Sequence, residues 1–266
     1  MHPYFSLSLP HLFGHRGASG EAPENTRVAF ELALTQGAAF LEMDCHATSD
    51  GEIVILHDAD VERVTNGYGP VTGQRFAELR ELDAGFCFSP DGQSFPFRGR
   101  GVRVPRLAEI LEAYPGIHIN LEVKQAQPSI AEEVVRIVRR AQATRRVLLA
   151  AEQDSVMAEL RLLDPGTAIG LSRGDVLAFY KALDEGELRS LEPPGHALQI
   201  PPSFLERPLV TRESVEAAHA LGLFVHVWTV NKPSEMERLL ELGVDGLMSD
   251  FPARLGAAAR ARAGER

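Results

Sequence analysis

The sequence predicts an α/β fold, a TIM (β/α)8 barrel, from three observations: its length, its alternation of strand-like and helical segments, and the polar residues that end the strand-like runs. The chain has 266 residues, a size that α/β barrels often reach as one unit. The alternation implies parallel strands joined by crossover helices, and the apolar runs suit strands that are buried on both faces. We therefore expect a single domain over residues 1–266.

The predicted strands are the short apolar runs, which lie at 12–15, 39–44, 53–56, 117–122, 146–150, 167–171, 197–200, 223–228 and 244–248. The predicted helices have apolar residues at helical spacing, at 26–36, 105–113, 129–142, 154–163, 174–184, 211–221, 233–242 and 252–262. This order fits eight strand–helix repeats with one extra short strand after the second. Polar residues before three of the helices are interpreted as N-caps, namely Asn25 or Thr26, Asn231 and Asp250.

The segment 58–104 interrupts the alternation and is rich in glycine, proline and phenylalanine. It is too long for a plain loop, so we expect a small insertion after the second strand that lies over one mouth of the barrel. Phe86, Phe88, Phe95 and Phe97 leave two interpretations open. They either form a satellite core that packs the insertion onto the barrel, or they contribute to a wall that shapes a substrate pocket.

Charge and composition limit the classes of partner. The formal net charge of −10 does not favour nucleic acid or a broad anionic lipid surface. Cys45 and Cys87 are too few for a disulfide scaffold and fit the reduced thiols of a cytoplasmic protein. Residues 1–12 lack Lys and Arg, so they do not resemble a signal peptide. No apolar stretch approaches about 18 residues, so stable membrane insertion is not expected. Formation of a homo-oligomer is left open.

Glu42 and Asp44 are the first candidate metal ligands. They lie two apart on a predicted strand, so their side chains share one face, which in a closed barrel points inward. Two inward carboxylates repel each other unless a positive group lies between them. Glu122 ends the next main strand and adds a third carboxylate. Three hard oxygen donors suit Mg²⁺ or Ca²⁺; the alternative is pairing with a base such as Lys124, which shares a face with Glu122.

His15 and His57 each end an apolar run. A lone histidine there is often structural, but two across one barrel mouth can act as a general base and a general acid. Arg16 is a fork-shaped donor suited to phosphate oxygens, and a salt bridge to a carboxylate is its alternative. His46 is placed beyond the rim. Trp228, the single tryptophan, is expected either to wall a pocket or to plug the barrel.

A series of motifs resembles the glycerophosphodiester phosphodiesterase family, and the motifs occur in the family's order. They are His-Arg-Gly-Ala at 15–18, Pro-Glu-Asn-Thr at 23–26, Leu-Glu-Met-Asp at 41–44, Ser-Asp-Gly at 49–51, Leu-His-Asp at 56–58, Thr-Asn-Gly at 65–67, Leu-Glu-Val-Lys at 121–124, Trp-Thr-Val-Asn at 228–231, Gly-Val-Asp-Gly at 243–246 and Ser-Asp at 249–250. The resemblance covers residues 14–252. It implies a TIM barrel with a small insertion after the second strand, a divalent metal, and hydrolysis of glycerophosphodiesters to glycerol 3-phosphate and an alcohol.

The resemblance also implies a role for each matching polar residue of the single catalytic domain. The substrate is expected to be a small-molecule glycerophosphodiester, which would connect the chain to lipid and glycerol metabolism. Carried over position by position, the resemblance implies that His15 and His57 are the acid–base pair. It implies that the ligands of Mg²⁺ or Ca²⁺ are Glu42, Asp44 and Glu122. The implied substrate contacts are Arg16, Lys124, Asn25 and Trp228.

Three other functions compete with this interpretation. Metal-assisted enolisation on a barrel also uses carboxylates and a lysine, but two histidines and an arginine beside them favour phosphoryl chemistry. A phospholipase-D-like hydrolase of lysophospholipids shares the resemblance. A non-catalytic phosphodiester-binding protein would retain the fold with a decayed site, which the intact His15, His57, Glu42, Asp44 and Glu122 argue against.

Overall fold

The computed structural model describes residues 1–264. Its strands are β1 (His11–Gly14), β2 (Phe40–Ala47), β3 (Ile53–Ile55), β4 (His118–Val123), β5 (Val147–Ala150), β6 (Ala168–Ile169), β7 (Ala197–Ile200), β8 (Ser203–Phe204), β9 (Arg207–Pro208), β10 (Phe224–Val227) and β11 (Gly246–Ser249). Its helices are α1 (Arg27–Thr35), α2 (Phe76–Leu79), α3 (Leu107–Ala113), α4 (Ala131–Arg140), α5 (Asp154–Leu162), α6 (Arg173–Glu185), α7 (Arg212–Ala220), α8 (Pro233–Leu242) and α9 (Pro252–Gly264). Short 3-10 helices lie at Pro3–Phe5, Val71–Gly73 and Leu188–Ser190.

Eight parallel strands form the barrel, in the order β6-β5-β4-β2-β1-β11-β10-β7. A parallel bridge between Gly170 and Ala197 joins the two ends of this order, so the ring is nearly closed. The predicted TIM barrel is confirmed. The extra strand β3 pairs antiparallel with β2, as expected for a short strand after the second repeat. The eight predicted helices begin and end within two residues of the observed bounds.

The amphipathic pattern that predicted the helices also explains how they pack. In α4, Val134, Val135 and Val138 are buried, and they recur at the spacing of one helix face. Acidic residues occupy the first turn of α4 and arginines the last, an arrangement that the helix dipole favours.

None of the helices within residues 1–264 is long and apolar enough to span a membrane.

Aromatic side chains fill the end of the barrel where the strands begin. The N-terminal 3-10 helix places Tyr4 and Phe5 there, and the ring of Phe5 stacks on Phe224 at a centroid distance of 4.0 Å. His11 and His226 are buried in the same layer. Burial lowers the pKa of His11 to about 4, so its ring is neutral at pH 7. This end is therefore packed, and the polar strand ends lie at the opposite mouth.

The insertion 58–104 has a hydrophobic core of its own beside the barrel. Val61, Val71 and Leu79 pack with Val54 and Leu56 from the barrel side. A satellite core is therefore present, but of the four phenylalanines only Phe97 packs against it. The phenylalanines of the insertion make two kinds of aromatic contact. The Arg98 guanidinium lies 4.1 Å from the ring centroid of Phe86 and 3.8 Å from that of Phe95, whereas the rings of Phe88 and Phe97 meet edge to face.

Candidate active site

Three carboxylates meet at the open mouth of the barrel. Glu42 and Asp44 project from β2 and Glu122 from β4, and Asp44 is the register partner of Glu122. One oxygen from each carboxylate lies within 4.8 Å of the others. Glu42 and Asp44 are buried, as side chains on the inner face of a barrel strand should be. The structure thus brings together the three residues that the sequence placed on neighbouring strand ends.

The charges around this acidic cluster are unevenly compensated. Lys124 Nζ lies 3.2 Å from Asp44 Oδ1 and 2.8 Å from Glu122 Oε1, so the pairing proposed as an alternative to metal binding does occur. Glu42 instead accepts the backbone N–H of Arg16 at 2.8 Å. Burial, followed by the charge of Asp44, raises the pKa of Glu42 to about 8. Burial also opposes the charge on Asp44, but Lys124 and Arg16 hold its pKa below the usual value.

This uneven compensation of the negative charge favours the binding of a cation. A carboxyl group whose pKa is raised lacks compensating positive charge, and here it stands next to two other carboxylates. All three donors are hard oxygens, the ligand type that Mg²⁺ and Ca²⁺ prefer. The cluster therefore fits a divalent metal.

His15 is held by an aspartate from the far end of the chain. Its Nδ1 lies 2.7 Å from Asp250 Oδ1, and because a carboxylate only accepts hydrogen bonds, the ring donates. Asp250 also accepts from the Ser19 hydroxyl at 2.7 Å and from the Asn231 amide at 2.6 Å. His15 Nε2 consequently faces the acidic cluster, 3.9 Å from Glu42. Burial acts to lower the pKa of His15, but Asp250 and Glu42 outweigh it and raise the value.

The N-cap roles expected for Asn231 and Asp250 are therefore wrong. The side chain of Asn231 donates to Asp250, and its Oδ1 accepts from the Asp250 N–H at 3.0 Å. Lys232 is the residue before α8 and makes no side-chain cap. Asp250 was mistaken for a cap because Asp followed by Phe-Pro is also a common helix start, and its true partner, His15, is remote in sequence.

His57 is anchored in the same way by its neighbour in sequence. Its Nδ1 donates to Asp58 Oδ1 at 2.6 Å, and Asp58 in turn accepts a hydrogen bond from Arg63. Although burial opposes it, the hydrogen bonds from Arg63 and His57 lower the pKa of Asp58 to about 2. His46 Nε2 donates to the carbonyl oxygen of His57 at 3.0 Å, so His46 supports the His57 backbone. The sequence analysis assigned no role to Asp58.

Arg16 and Asn25 both have left-handed backbone conformations, with φ of 54° and 57°. Arg16 lies 3.1 Å from Glu24 and 3.3 Å from Asp44, so its salt-bridge alternative is present. Asn25 donates to Asp44 Oδ2 at 2.9 Å and is 2% exposed. Asn25 therefore orients Asp44 from inside the protein, and the direct substrate contact expected of it stays a prediction. Thr26 is the N-cap of α1.

A cavity of about 550 Å³ opens above the cluster. Its lining includes the polar residues His15, Arg16, Glu42, His57, Glu122 and Lys124, which we call the polar half together with Asp44, the third carboxylate of the cluster. The apolar residues of the lining, which we call the apolar wall, are Leu171, Val176, Leu177, Phe204, Leu209 and Trp228. Trp228 is 42% exposed, so it walls the cavity and does not plug the barrel.

Part of the apolar wall comes from an element that the sequence analysis missed. Phe204 lies in the β8–β9 hairpin, which follows β7. The insertion 58–104 is described in full, and none of its residues lines this cavity. Of the two interpretations left open for its phenylalanines, the one in which they wall this cavity is therefore wrong.

The fold and the cluster define a barrel enzyme with an acidic site of the metal-binding type. The chain belongs to the glycerophosphoryl diester phosphodiesterase family, whose model matches residues 15–254. It is 32% identical over 251 residues to a glycerophosphodiester phosphodiesterase of Caldanaerobacter subterraneus subsp. tengcongensis, covering 92% of this chain and 95% of that protein.

Solved structures agree with this assignment. The putative glycerophosphoryl diester phosphodiesterase of Silicibacter pomeroyi is 28% identical, with a TM-score of 0.79 and coverage of 96% of this chain and 95% of that one. An Oleispira antarctica phosphodiesterase in complex with the product sn-glycerol-3-phosphate is also 28% identical, with a TM-score of 0.75 and coverage of 95% and 97%.

Proposed function

We propose that this chain hydrolyses glycerophosphodiesters to glycerol 3-phosphate and an alcohol, and that one catalytic domain, which includes the insertion 58–104, carries the reaction. The observation that carries the proposal is that the acidic cluster of three carboxylates lies at one open cavity, which Glu42, Glu122 and the two anchored histidines line. The family membership supports it, as does the product found in the Oleispira antarctica relative.

Glu42, Asp44 and Glu122 are the proposed ligands of Mg²⁺ or Ca²⁺. When bound, such a cation supplies Lewis-acid stabilisation of the charge that gathers on the phosphate oxygens. The protein contributes rigidity to the ligands. Asn25 orients Asp44 by a hydrogen bond, and the Arg16 N–H does the same for Glu42. Bonded outer-shell partners of this kind typically affect activity or metal affinity by about 10- to 100-fold.

Arg16 and Lys124 are the proposed phosphate contacts. Both line the cavity beside the cluster, where an entering phosphodiester anion would otherwise meet only carboxylates. Their present partners, Asp44 and Glu122, keep them in place before substrate arrives. Arg16 offers a planar fork to two phosphate oxygens and Lys124 a point charge. Trp228, which belongs to the apolar wall, is proposed to contact the substrate's carbon skeleton.

His15 and His57 are the proposed acid–base pair. Each ring has its Nδ1 tied to an aspartate, so each presents Nε2 as the atom that can exchange a proton with the substrate. One ring takes the proton of the nucleophile, and the other donates a proton to the departing alkoxide. The aspartates fix the tautomer and the ring orientation, as carboxylates do in other histidine-based sites.

A second candidate substrate class is favoured by the apolar wall. Leu177, Phe204 and Trp228 are respectively 63%, 54% and 42% exposed, and they face the same cavity as the cluster. A choline or glycerol group does not require so much apolar surface, whereas the acyl chain of a lysophospholipid would cover it. Hydrolysis of lysophospholipids in the manner of phospholipase D is therefore the runner-up function.

Product identification tests the proposal. The protein is incubated with glycerophosphocholine and a divalent cation, and the products are followed by ³¹P NMR. We expect glycerol 3-phosphate and choline, with no phosphocholine. Absence of turnover would support a non-catalytic binding protein, and release of phosphocholine would mean that the other ester bond is cleaved. Lysophosphatidylcholine as a parallel substrate tests the runner-up, since preferential turnover of it would favour the acyl-chain interpretation.

A further inference from the structure

One arginine of the insertion connects two parts of the candidate site. Arg63 lies in the turn that the bond from Thr65 N–H to Val61 C=O closes. Its Nη1 and Nη2 each donate to an oxygen of Glu24 at 2.7 Å, and its Nε donates to Asp58 Oδ2. A single planar guanidinium thus joins two carboxylates that come from different segments of the chain.

Each of these carboxylates holds a residue of the polar half. The other oxygen of Asp58 accepts the hydrogen bond from His57 Nδ1 at 2.6 Å. Glu24 Oε1 accepts a hydrogen bond from Arg16 Nη1 at 3.1 Å. His57 and Arg16 line the large cavity. Arg63 lines a separate, smaller cavity of about 140 Å³, so it stands behind the site and supports the side chains that face it.

We propose that Arg63 is a positioning residue, which fixes His57 through Asp58 and Arg16 through Glu24. The insertion then contributes to the reaction through these hydrogen bonds of Arg63, and not by lining the large cavity. The inference rests on the proposed function, because it concerns the same two groups. It assigns no contact between Arg63 and the substrate.

The charges of Glu24 and Asp58 explain why the loss of Arg63 should affect Arg16 and His57. Without Arg63, Glu24 keeps only Arg16 as a basic partner, so Glu24 would compete with the substrate phosphate for that guanidinium. Asp58 would lose the donor that holds its second oxygen and could rotate, and His57 would rotate with it. A lysine cannot replace Arg63, because an ammonium group lacks the planar fork that bonds two carboxylates at fixed angles.

The first test replaces Arg63 by alanine. We expect kcat/KM for glycerophosphocholine to fall about 10- to 100-fold, while calorimetric Ca²⁺ affinity stays within about twofold, since Arg63 contacts none of the three carboxylates of the cluster. Arg75→Ala is the matched control, because Arg75 belongs to the same insertion, is 71% exposed and pairs with Asp50 at 3.7 Å. This control should retain the parental kcat/KM.

A chemical rescue separates positioning from general loosening of the fold. Truncation at Arg63 enlarges the small cavity that Arg63 and Glu24 line and frees the oxygens of Glu24 and Asp58 that the guanidinium occupied, so a free guanidinium ion can bind there. Millimolar guanidinium should restore part of the activity of Arg63→Ala, whereas equal urea should not. A merely destabilised variant would respond in the opposite direction, because guanidinium promotes unfolding.

Several outcomes would overturn the inference. These are parental kcat/KM in Arg63→Ala, an equal loss in Arg75→Ala, or no rescue by guanidinium in a folded variant. If Arg63→Ala does not fold, Arg63→Lys replaces it: full activity in that variant refutes the need for a fork, and a tenfold loss with parental Ca²⁺ affinity supports it. If the parental chain itself releases no glycerol 3-phosphate, the failure lies with the proposed function.

Discussion

The polar half and the apolar wall of the cavity differ in how their side chains are held. Glu42, Asp44 and Glu122 stand on barrel strands, and hydrogen bonds or ion pairs fix each of them. Leu177 and Phe204 belong to α6 and the β8–β9 hairpin, and both are more than half exposed. Groups that must meet a reacting atom at a fixed distance are best placed on rigid strands, whereas apolar contact is non-directional and tolerates a loop.

This contrast suggests that the polar half and the apolar wall have different functions. The polar half would set the chemistry, and the apolar wall would set which apolar group of the substrate is accepted. Substitutions in the polar half should then affect all substrates alike. Substitutions in the apolar wall should affect substrates in proportion to the apolar surface of the group that covers the wall.

Asp44→Asn is expected to have the largest effect. It removes one charge from a buried ligand that also pairs with Lys124 and Arg16. Turnover of glycerophosphocholine should fall about 1000-fold or more, since a bound cation supplies several kcal/mol of transition-state stabilisation. Steady-state kinetics check this, with Glu132→Gln as the control, because Glu132 is an exposed carboxylate on α4. An Asp44→Asn protein with parental turnover would remove Asp44 from the site.

His15→Ala and His57→Ala are each expected to lower kcat about 100-fold or more, the usual contribution of one acid–base group. The loss should be the same for choline and acyl-glycerol substrates, because proton transfer is common to both. His219→Ala is the control, since His219 forms a comparable 2.8 Å pair with Asp245 outside the cavity lining. A histidine variant that keeps its kcat would make that histidine structural.

Metal affinity should depend on pH through Glu42. Its pKa is raised to about 8 by burial and by Asp44, so below pH 8 a cation must displace a proton to bind. The apparent affinity should therefore rise by up to about tenfold per pH unit between pH 6 and 8 and level off above. Calorimetric titration with Ca²⁺ in two buffers of different ionisation enthalpy would also reveal the released proton. An affinity that is constant from pH 6 to 8 would contradict this.

Phe204→Ser is expected to have the smallest effect and the most selective one. About half of the Phe204 side chain is exposed, so covering it with a substrate chain is worth about 1 kcal/mol, or about fivefold in kcat/KM. Lysophosphatidylcholine turnover should fall by that factor relative to glycerophosphocholine. Leu162→Ser is the control, because Leu162 is 87% exposed on α5 and lies outside the cavity. An unchanged ratio would exclude Phe204 from substrate selection.

The polar half was largely predictable from the sequence for a physical reason. Glu42 and Asp44 are two apart, and a strand repeats its faces every two residues, so a shared face followed directly. Their position at the end of an apolar run placed them at the mouth of the barrel. The roles of these residues remain predictions, but their proximity is confirmed.

The sequence analysis missed the role of Asp250, the β8–β9 hairpin and the contacts of Arg63, because the pattern of neighbouring residues does not show them. Asp250 bonds His15 across 235 positions of sequence, so no neighbouring residue reveals the partnership. The β8–β9 hairpin turns through Leu205 and Glu206, which have φ of 46° and 65°. Such turns usually carry Gly or Asn, and without these residues the segment gave no hairpin signal. The site contacts of the insertion were missed because Arg63 pairs with Glu24, which is remote in sequence.

The central claim is that the acidic cluster of the polar half binds the cation that supports hydrolysis. The most direct test measures Ca²⁺ or Mg²⁺ binding by calorimetry and glycerol 3-phosphate release over the same range of cation concentration. We expect both curves to have the same midpoint in the parental protein and both to be lost in Asp44→Asn. Full turnover in the presence of a chelator, with no measurable cation binding, would contradict the claim.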